Sequence, residues 1–244
     1  MITSTDNPRV KEVLRLRRSA ERRRSGLFVA EGRREVERAA AAGLAVRAVY
    51  VAPELIDDWH SGGATEVSRR VLTRMSYRAE PDGVLAVVEA PRRQIPDDPT
   101  LLLVAVGIEK PGNLGAMART ADAAGADALL VGDAQADPWN PNAIRASTGA
   151  VFTLPIVETA REELEALPVQ KVAAALGAMS AYADADLTKP TAILIGAEDA
   201  GLPGAWRAVA DVEVEIPMRG TTADSLNASA AAAILLFEAV RQRR

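Results

Sequence analysis

Apolar positions recur at helical spacing through residues 9–24, where Val10, Val13, Leu14 and Leu16 make one face and Arg9, Lys11, Arg15, Arg17, Arg18, Arg22, Arg23 and Arg24 fill the rest. That spacing predicts one amphipathic helix with a densely basic outer face. A short apolar run at 26–31 predicts a strand, a helical pattern at 33–42 stops at Gly43, and apolar runs at 46–51 and 84–89 predict two more strands. Residues 1–90 therefore read as a small α/β domain. Residues 91–100 follow, with three prolines and four charges, as a linker.

Beyond the linker the rhythm changes. Nearly unbroken Val, Leu and Ile at 101–107, 128–132, 169–175, 191–196 and 212–216 alternate with helical patterns at 114–124, 162–167 and 226–241. Strands apolar on both faces and separated by helices predict a parallel sheet covered on both sides. In such sheets ligands bind beyond the carboxyl ends of the strands, so residues 101–244 are expected to carry the chemistry there.

Composition matters mainly for what it removes. The chain has no cysteine and one histidine, His60. A cysteine nucleophile is excluded, no metal site is expected, and a Ser–His triad would depend on His60. The longest apolar run, about ten residues around 228–237, falls short of the roughly 18 needed to span a membrane. Residues 1–8 are polar and lack a signal-peptide layout. A cytoplasmic protein without membrane contact is expected. Net charge is −4, yet residues 1–38 carry eleven basic against six acidic groups, and the remainder is acidic. A local basic face suits RNA or DNA phosphates, with an ordinary solvated helix as the alternative.

Three segments at predicted strand ends carry candidate chemistry. In residues 109–120, Glu-Lys-Pro-Gly-Asn-Leu-Gly-Ala-Met-Ala-Arg-Thr, the glycines fit neither a dinucleotide fingerprint nor a phosphate loop. A nicotinamide dehydrogenase loses support, as does a nucleotide-dependent transferase. Asn113 falls where a helix N-cap belongs, and Arg119 lies in the first turns of an otherwise apolar helix. In residues 195–203, Gly196 and Gly201 permit a tight turn and Glu198 can orient a hydroxyl, an amide or an arginine. In residues 216–229, Ser225 and Asn227 stand at the start of the last helix beside free backbone N–H groups. Taken singly, each has a plain structural reading: an ion pair, a turn with a capping acid, an N-cap.

Their order is more specific than any one of them. Asn-x-Gly-x-x-x-Arg-Thr at 113–120, Gly-x-Glu-x-x-Gly-Leu at 196–202, and Ile-Pro-Met followed by Ser-Leu-Asn-x-Ser within 216–229 resemble the three motifs of the SpoU family of RNA ribose 2′-O-methyltransferases, in the SPOUT superfamily. The match runs from about 101 to 242, and residues 140–152 resemble the stretch that members carry between the first two motifs. The basic N-terminal region is similar to the ribosomal-protein-like substrate-binding domain of many members.

The resemblance implies an α/β fold whose C-terminal parallel-sheet domain is threaded into a deep trefoil knot, against the general rule that chains avoid knots. It implies S-adenosylmethionine bound by Leu176, Gly177, Gly196, Ile216, Met218 and Leu226. Catalytic roles fall to Asn113, Arg119, Glu198, Ser225 and Asn227, and RNA contacts to Arg9, Arg17, Arg18, Arg22, Arg23 and Arg24. The substrate implied is ribosomal RNA, with transfer RNA as the alternative. Members are typically homodimers packed through the last helix and the first motif, which can bring the arginine matching Arg119 close to the cofactor of the other chain. Family models give that arginine a role as base or through the adjacent RNA phosphate. Its very high pKa favours a phosphate clamp that stabilises a developing alkoxide. A non-catalytic RNA-binding protein is the rival reading, and it leaves the three motifs without a task.

Overall fold

The computed structural model describes residues 1–59, 62–222 and 224–244; His60, on which a Ser–His triad would depend, lies outside the described residues. The chain forms two compact units, Met1–Arg92 with Trp139–Thr153, and Arg93–Pro138 with Leu154–Arg244.

The basic helix predicted over 9–24 is in fact two helices. α1 (Pro8–Arg15) begins at Asn7, whose side chain accepts the Arg9 N–H, and α2 (Ser19–Ser25) ends at Gly26 in the left-handed conformation, φ 66°. Arg22 explains the break. It is 4% exposed, and its guanidinium donates to the carbonyls of Leu16 (2.7 Å) and Arg17 (3.1 Å), satisfying acceptors freed where α1 ends.

β1 (Leu27–Glu31), α3 (Arg33–Ala41), β2 (Val46–Val51), β3 (Thr65–Glu66), α4 (Arg69–Met75) and β4 (Val84–Glu89) complete the first ninety-odd residues. The sheet runs β1-β4-β2-β3, with β4 antiparallel to both neighbours. Val10, Val13 and Leu16 of the α1 region join Val71, Leu72 and Met75 of α4 over Val29, Leu85 and Val87 on one face. Phe28 points to the other face, where its ring stacks on Trp139 (4.8 Å) and Phe152 (5.8 Å). This corrects the expected division. β1 and β4 are buried on both faces, and Trp139–Thr153 leaves the catalytic stretch of the sequence to supply part of the second cover.

The second unit contains β5 (Leu101–Val106), α5 (Pro111–Ala123) and β6 (Ala128–Gly132). α6 (Pro141–Ser147), which belongs to the first unit, comes next in the chain. β7 (Ile156–Glu158), α7 (Arg161–Ala166), β8 (Gln170–Ala174), β9 (Ser180–Ala181), β10 (Thr191–Ile195), α8 (Gly204–Arg207), β11 (Val212–Glu215) and α9 (Ala228–Gln242) follow. All seven strands are parallel, in the order β7-β6-β5-β10-β8-β11-β9. The two edge strands are too short to have shown a pattern in the sequence.

Leu102, Val104, Leu130 and Leu194 face Leu164 of α7 and Trp206 of α8 on one side. The Trp206 indole donates to Asp133 at 2.7 Å, and its ring lies where a Cβ on Gly132 would come within 2.5 Å, which makes glycine obligatory there. On the other side α5 and α9 pack on each other and on the central strands. The end of α9 is tied down. Gln242 bonds the Ala185 carbonyl and the Leu187 N–H, and Arg243 donates to the carbonyls of Leu187, Lys189 and Thr100. Among the described residues no helix is long and apolar enough to cross a membrane.

Candidate active site

The carboxyl ends of β8, β10 and β11 enclose a cleft of about 270 Å³. Leu176, the turn from Gly196 to Leu202, Ile216, Met218, Ser225 and Leu226 line it. The turn closes on itself through a bridge between Ala197 and Gly201. A Cβ on Gly196 would stand 2.1 Å from the Gly201 carbonyl carbon, so the loop can fold back only over glycine. Backbone amides and carbonyls thus border an apolar floor, a lining that can read the polar edge of a base while burying its faces. Of the residues expected to bind the cofactor, Leu176, Gly196, Ile216, Met218 and Leu226 line this cleft, and Gly177 follows Leu176 with φ 74°.

At the rim, three of the expected catalytic side chains meet. Asn227 caps α9, its Oδ1 accepting the Ser229 N–H (3.0 Å) and hydroxyl (2.6 Å). The cap fixes the amide so that Nδ2 faces Asn113 Oδ1 at 3.1 Å and Glu198 Oε2 at 3.4 Å. Asn113 Nδ2 also faces Glu198 Oε2, at 3.5 Å. Asn113 is not the N-cap expected. α5 starts at Pro111 with Lys110 in the cap position, which leaves the Asn113 side chain, in the first turn, free to join the cluster.

Lys110, which motif matching did not single out, donates to Glu198 Oε2 at 3.0 Å. The only sequence signal was its place directly before the Pro-Gly-Asn of the first segment. The hydrogen-bonded Lys110 ammonium holds the Glu198 carboxyl below the usual carboxylate range, and Glu198 raises Lys110 in return. At neutral pH the carboxylate is therefore ionised and can only accept hydrogen bonds. A small cavity lined by Lys110, Asn113 and Glu198 opens beside it.

Arg119 is not in this cluster. It lies six residues beyond Asn113, about 240° around the helix and about 9 Å along it, so the two side chains leave α5 in different directions. Arg119 is exposed and has no ion pair or hydrogen bond among the described residues. Ser225 lines the cleft itself. Among the described residues no group of His, Asp and Glu is arranged to hold a metal ion.

The N-terminal arginines divide into classes the sequence could not separate. Arg22 is buried and structural, which corrects its placing among the RNA contacts: its donors are committed to backbone carbonyls. Arg24 pairs with Glu21 at 2.5 Å. Arg17 donates to the carbonyls of Arg74 (3.0 Å) and Ser76 (2.6 Å) while remaining at the surface. Arg9, Arg18 and Arg23 are exposed.

A parallel α/β sheet with a backbone-lined cleft at its carboxyl edge and a polar cluster on the rim defines a group-transfer enzyme that binds a nucleotide-like cofactor. Comparison with known proteins makes this specific. The family model described as SpoU rRNA Methylase matches residues 100–237, and that of the MRM3-like substrate binding domain matches residues 7–86. The chain is 35% identical to the 23S rRNA (uridine(2479)-2′-O)-methyltransferase of Streptomyces viridochromogenes, over 91% of this chain and 85% of that protein. It is 31% identical to the 23S rRNA (guanosine(2553)-2′-O)-methyltransferase RlmP of Bacillus subtilis (strain 168), over 97% of each. The crystal structure of an AdoMet-bound rRNA methyltransferase from Sinorhizobium meliloti superposes with a TM-score of 0.87 at 32% identity, covering 98% of this chain and 97% of that one. The chain belongs to the SpoU rRNA methylase family.

Proposed function

We propose that this protein transfers a methyl group from S-adenosylmethionine to a ribose 2′-hydroxyl of 23S ribosomal RNA. The carrying observation is the Asn113–Glu198–Asn227 cluster, held by Lys110 at the rim of a nucleotide-sized cleft. The family membership and the activities for which the relatives are named support it.

S-adenosylmethionine, when bound, supplies an electrophilic methyl on a sulfonium. Leu176, Gly177, Gly196, Ile216, Met218 and Leu226 hold it through backbone groups and apolar contacts. The ionised Glu198 accepts the hydrogen bond of the 2′-hydroxyl and takes its proton as the oxygen–methyl bond forms and the methyl–sulfur bond breaks, the electron pair of that bond staying on sulfur. Asn113, Asn227 and Ser225 keep hydroxyl and carboxylate in register. Arg119 holds the neighbouring RNA phosphate and stabilises the charge that develops on the oxygen.

Because Arg119 leaves α5 away from its own cluster, it completes the site of a second copy in a homodimer. The buried and half-buried alanines of α9 permit close packing there. The segment after β11 lines the same cleft as the loops that follow β8 and β10, and α9 then packs on α5, an arrangement that supports the reading of a trefoil knot around the cleft. The first unit acts as the RNA-binding domain, and the enzyme works in the cytoplasm.

The test is transfer of labelled methyl to separately purified 23S rRNA and transfer RNA, followed by alkaline hydrolysis. Ribose methylation leaves a labelled, alkali-stable dinucleotide, and this is expected from 23S rRNA. Label on a base overturns the reaction, and label confined to transfer RNA overturns the substrate.

A further inference from the structure

We infer that the open groove beside α4 in the first unit is a phosphate-binding site that grips the sugar–phosphate backbone of the RNA substrate. This rests on the RNA methyltransferase reading above and adds to it a set of residues, Arg70, Thr73 and Arg74, that neither the motifs nor the basic N-terminal run pointed to.

Residues 68–78 contain four arginines and no acid. Val71, Leu72 and Met75 are buried, which turns Arg70, Thr73 and Arg74 outward on one helical face at spacings of three and four. With Thr5 and Arg17 they line an open groove of about 440 Å³. Arg17 is already ordered for the task. Its Nη2 is fixed on the Arg74 and Ser76 carbonyls, and the guanidinium covers the Tyr77 ring at 5.3 Å. Arg70 makes no ion pair among the described residues, and neither does Arg74. The three acids of residues 1–24 have partners of their own: Asp6 with Lys11 (3.2 Å), Glu12 with Arg15 (3.9 Å) and Glu21 with Arg24 (2.5 Å).

Three guanidinium forks and two hydroxyls are the donors that phosphate oxygens accept bidentately. The groove is open to solvent rather than enclosed, which suits a stretch of backbone better than a sequestered single anion. Such contacts set position and orientation without reading bases. They also predict a steep dependence on salt, through release of counterions from the RNA.

The test uses the full chain and transcribed 23S rRNA, with affinity measured between 50 and 200 mM salt for wild type, Arg70→Glu/Arg74→Glu, Arg70→Gln/Arg74→Gln and the exposed Arg92→Glu. S-adenosylmethionine affinity and melting temperature are followed in each. The expected result is a loss of RNA affinity of roughly tenfold or more for the Glu pair, a smaller loss for the Gln pair, and a salt slope shallower by about 1–2 for both. Arg92→Glu keeps wild-type affinity, and cofactor binding and melting stay unchanged throughout. RNA affinity and slope equal to wild type in both groove variants overturn the groove while leaving the methyltransferase reading intact. An equal loss in Arg92→Glu overturns it in favour of general charge. A wild type that binds S-adenosylmethionine but no 23S rRNA overturns the substrate reading and the groove together.

Discussion

On the proposed reading, the cleft of the second unit and the groove of the first meet different recognition problems with different materials. The cleft is bordered mainly by backbone groups and apolar side chains; of the charged residues that also line it, Glu198 pairs with Lys110, Arg207 pairs with Glu213, and Asp199 lies on the turn. The groove is bordered by arginines and threonines. A small cofactor with a buried base needs shape and fixed dipoles, which are insensitive to ionic strength. A long polyanion needs cations at the surface, which salt competes away. Damage to one region should therefore leave the other working.

The largest effect sharpens that separation on the cleft side. Glu198→Ala and Arg119→Ala should each lower kcat by about 10²–10³-fold in methyl transfer assays while S-adenosylmethionine affinity changes little, because both act on the acceptor hydroxyl. Lys110→Ala should fall in the same direction by less, since the carboxylate keeps two amide partners. Coexpressing the Arg119→Ala chain with an Asn113→Ala chain distinguishes the source of the arginine. Recovered activity means that one copy supplies it to the other, and a mixture as inactive as its parents would place Arg119 in its own site.

Next comes Gly196→Val, which drives a side chain into the Gly201 backbone 2.1 Å away. It should cost about 1–3 kcal/mol in denaturant unfolding and abolish cofactor binding, while RNA affinity persists. On the other side of the comparison, Arg22→Ala should destabilise by about 2 kcal/mol, because a buried and a part-buried carbonyl lose a charged donor. If Arg22 instead bound RNA, its loss would weaken affinity without lowering the melting temperature.

That distinction marks where the sequence stopped being legible. The strands and long helices of the second unit follow from unbroken apolar runs, and Asn113, Glu198 and Asn227 follow from motif order. Their meeting depends on a cap: Asn227 is pinned by Ser229, a local feature visible in the spacing. Arg22 was hidden because a buried arginine in a run of arginines looks like its neighbours. Trp139–Thr153 was misassigned because reading along the chain presumes that neighbours in sequence share a core, whereas Phe28 needed rings from 139 and 152 to cover it. Arg70 and Arg74 escaped because three arginines on a short helix match no motif.

The smallest effect concerns the end of α9. Hydrogen bonds from Arg241 and then Gln242 lower the Glu238 carboxyl from 4.5 to about 2. A depressed carboxyl stabilises the fold fully above about pH 4.5, and that contribution is lost as pH falls toward 2. Melting curves of wild type and Glu238→Gln should differ at pH 7 and converge in strong acid. A constant gap would mean that the carboxylate charge contributes nothing.

The division between the two regions rests on the cleft being the donor site, and calorimetric titration of S-adenosylmethionine into the wild-type chain at 50 and 200 mM salt tests this most directly. One site per chain, with affinity nearly equal at the two salt concentrations, is the predicted result. Absence of binding, or an affinity that falls with salt as steeply as that for RNA, would contradict the account.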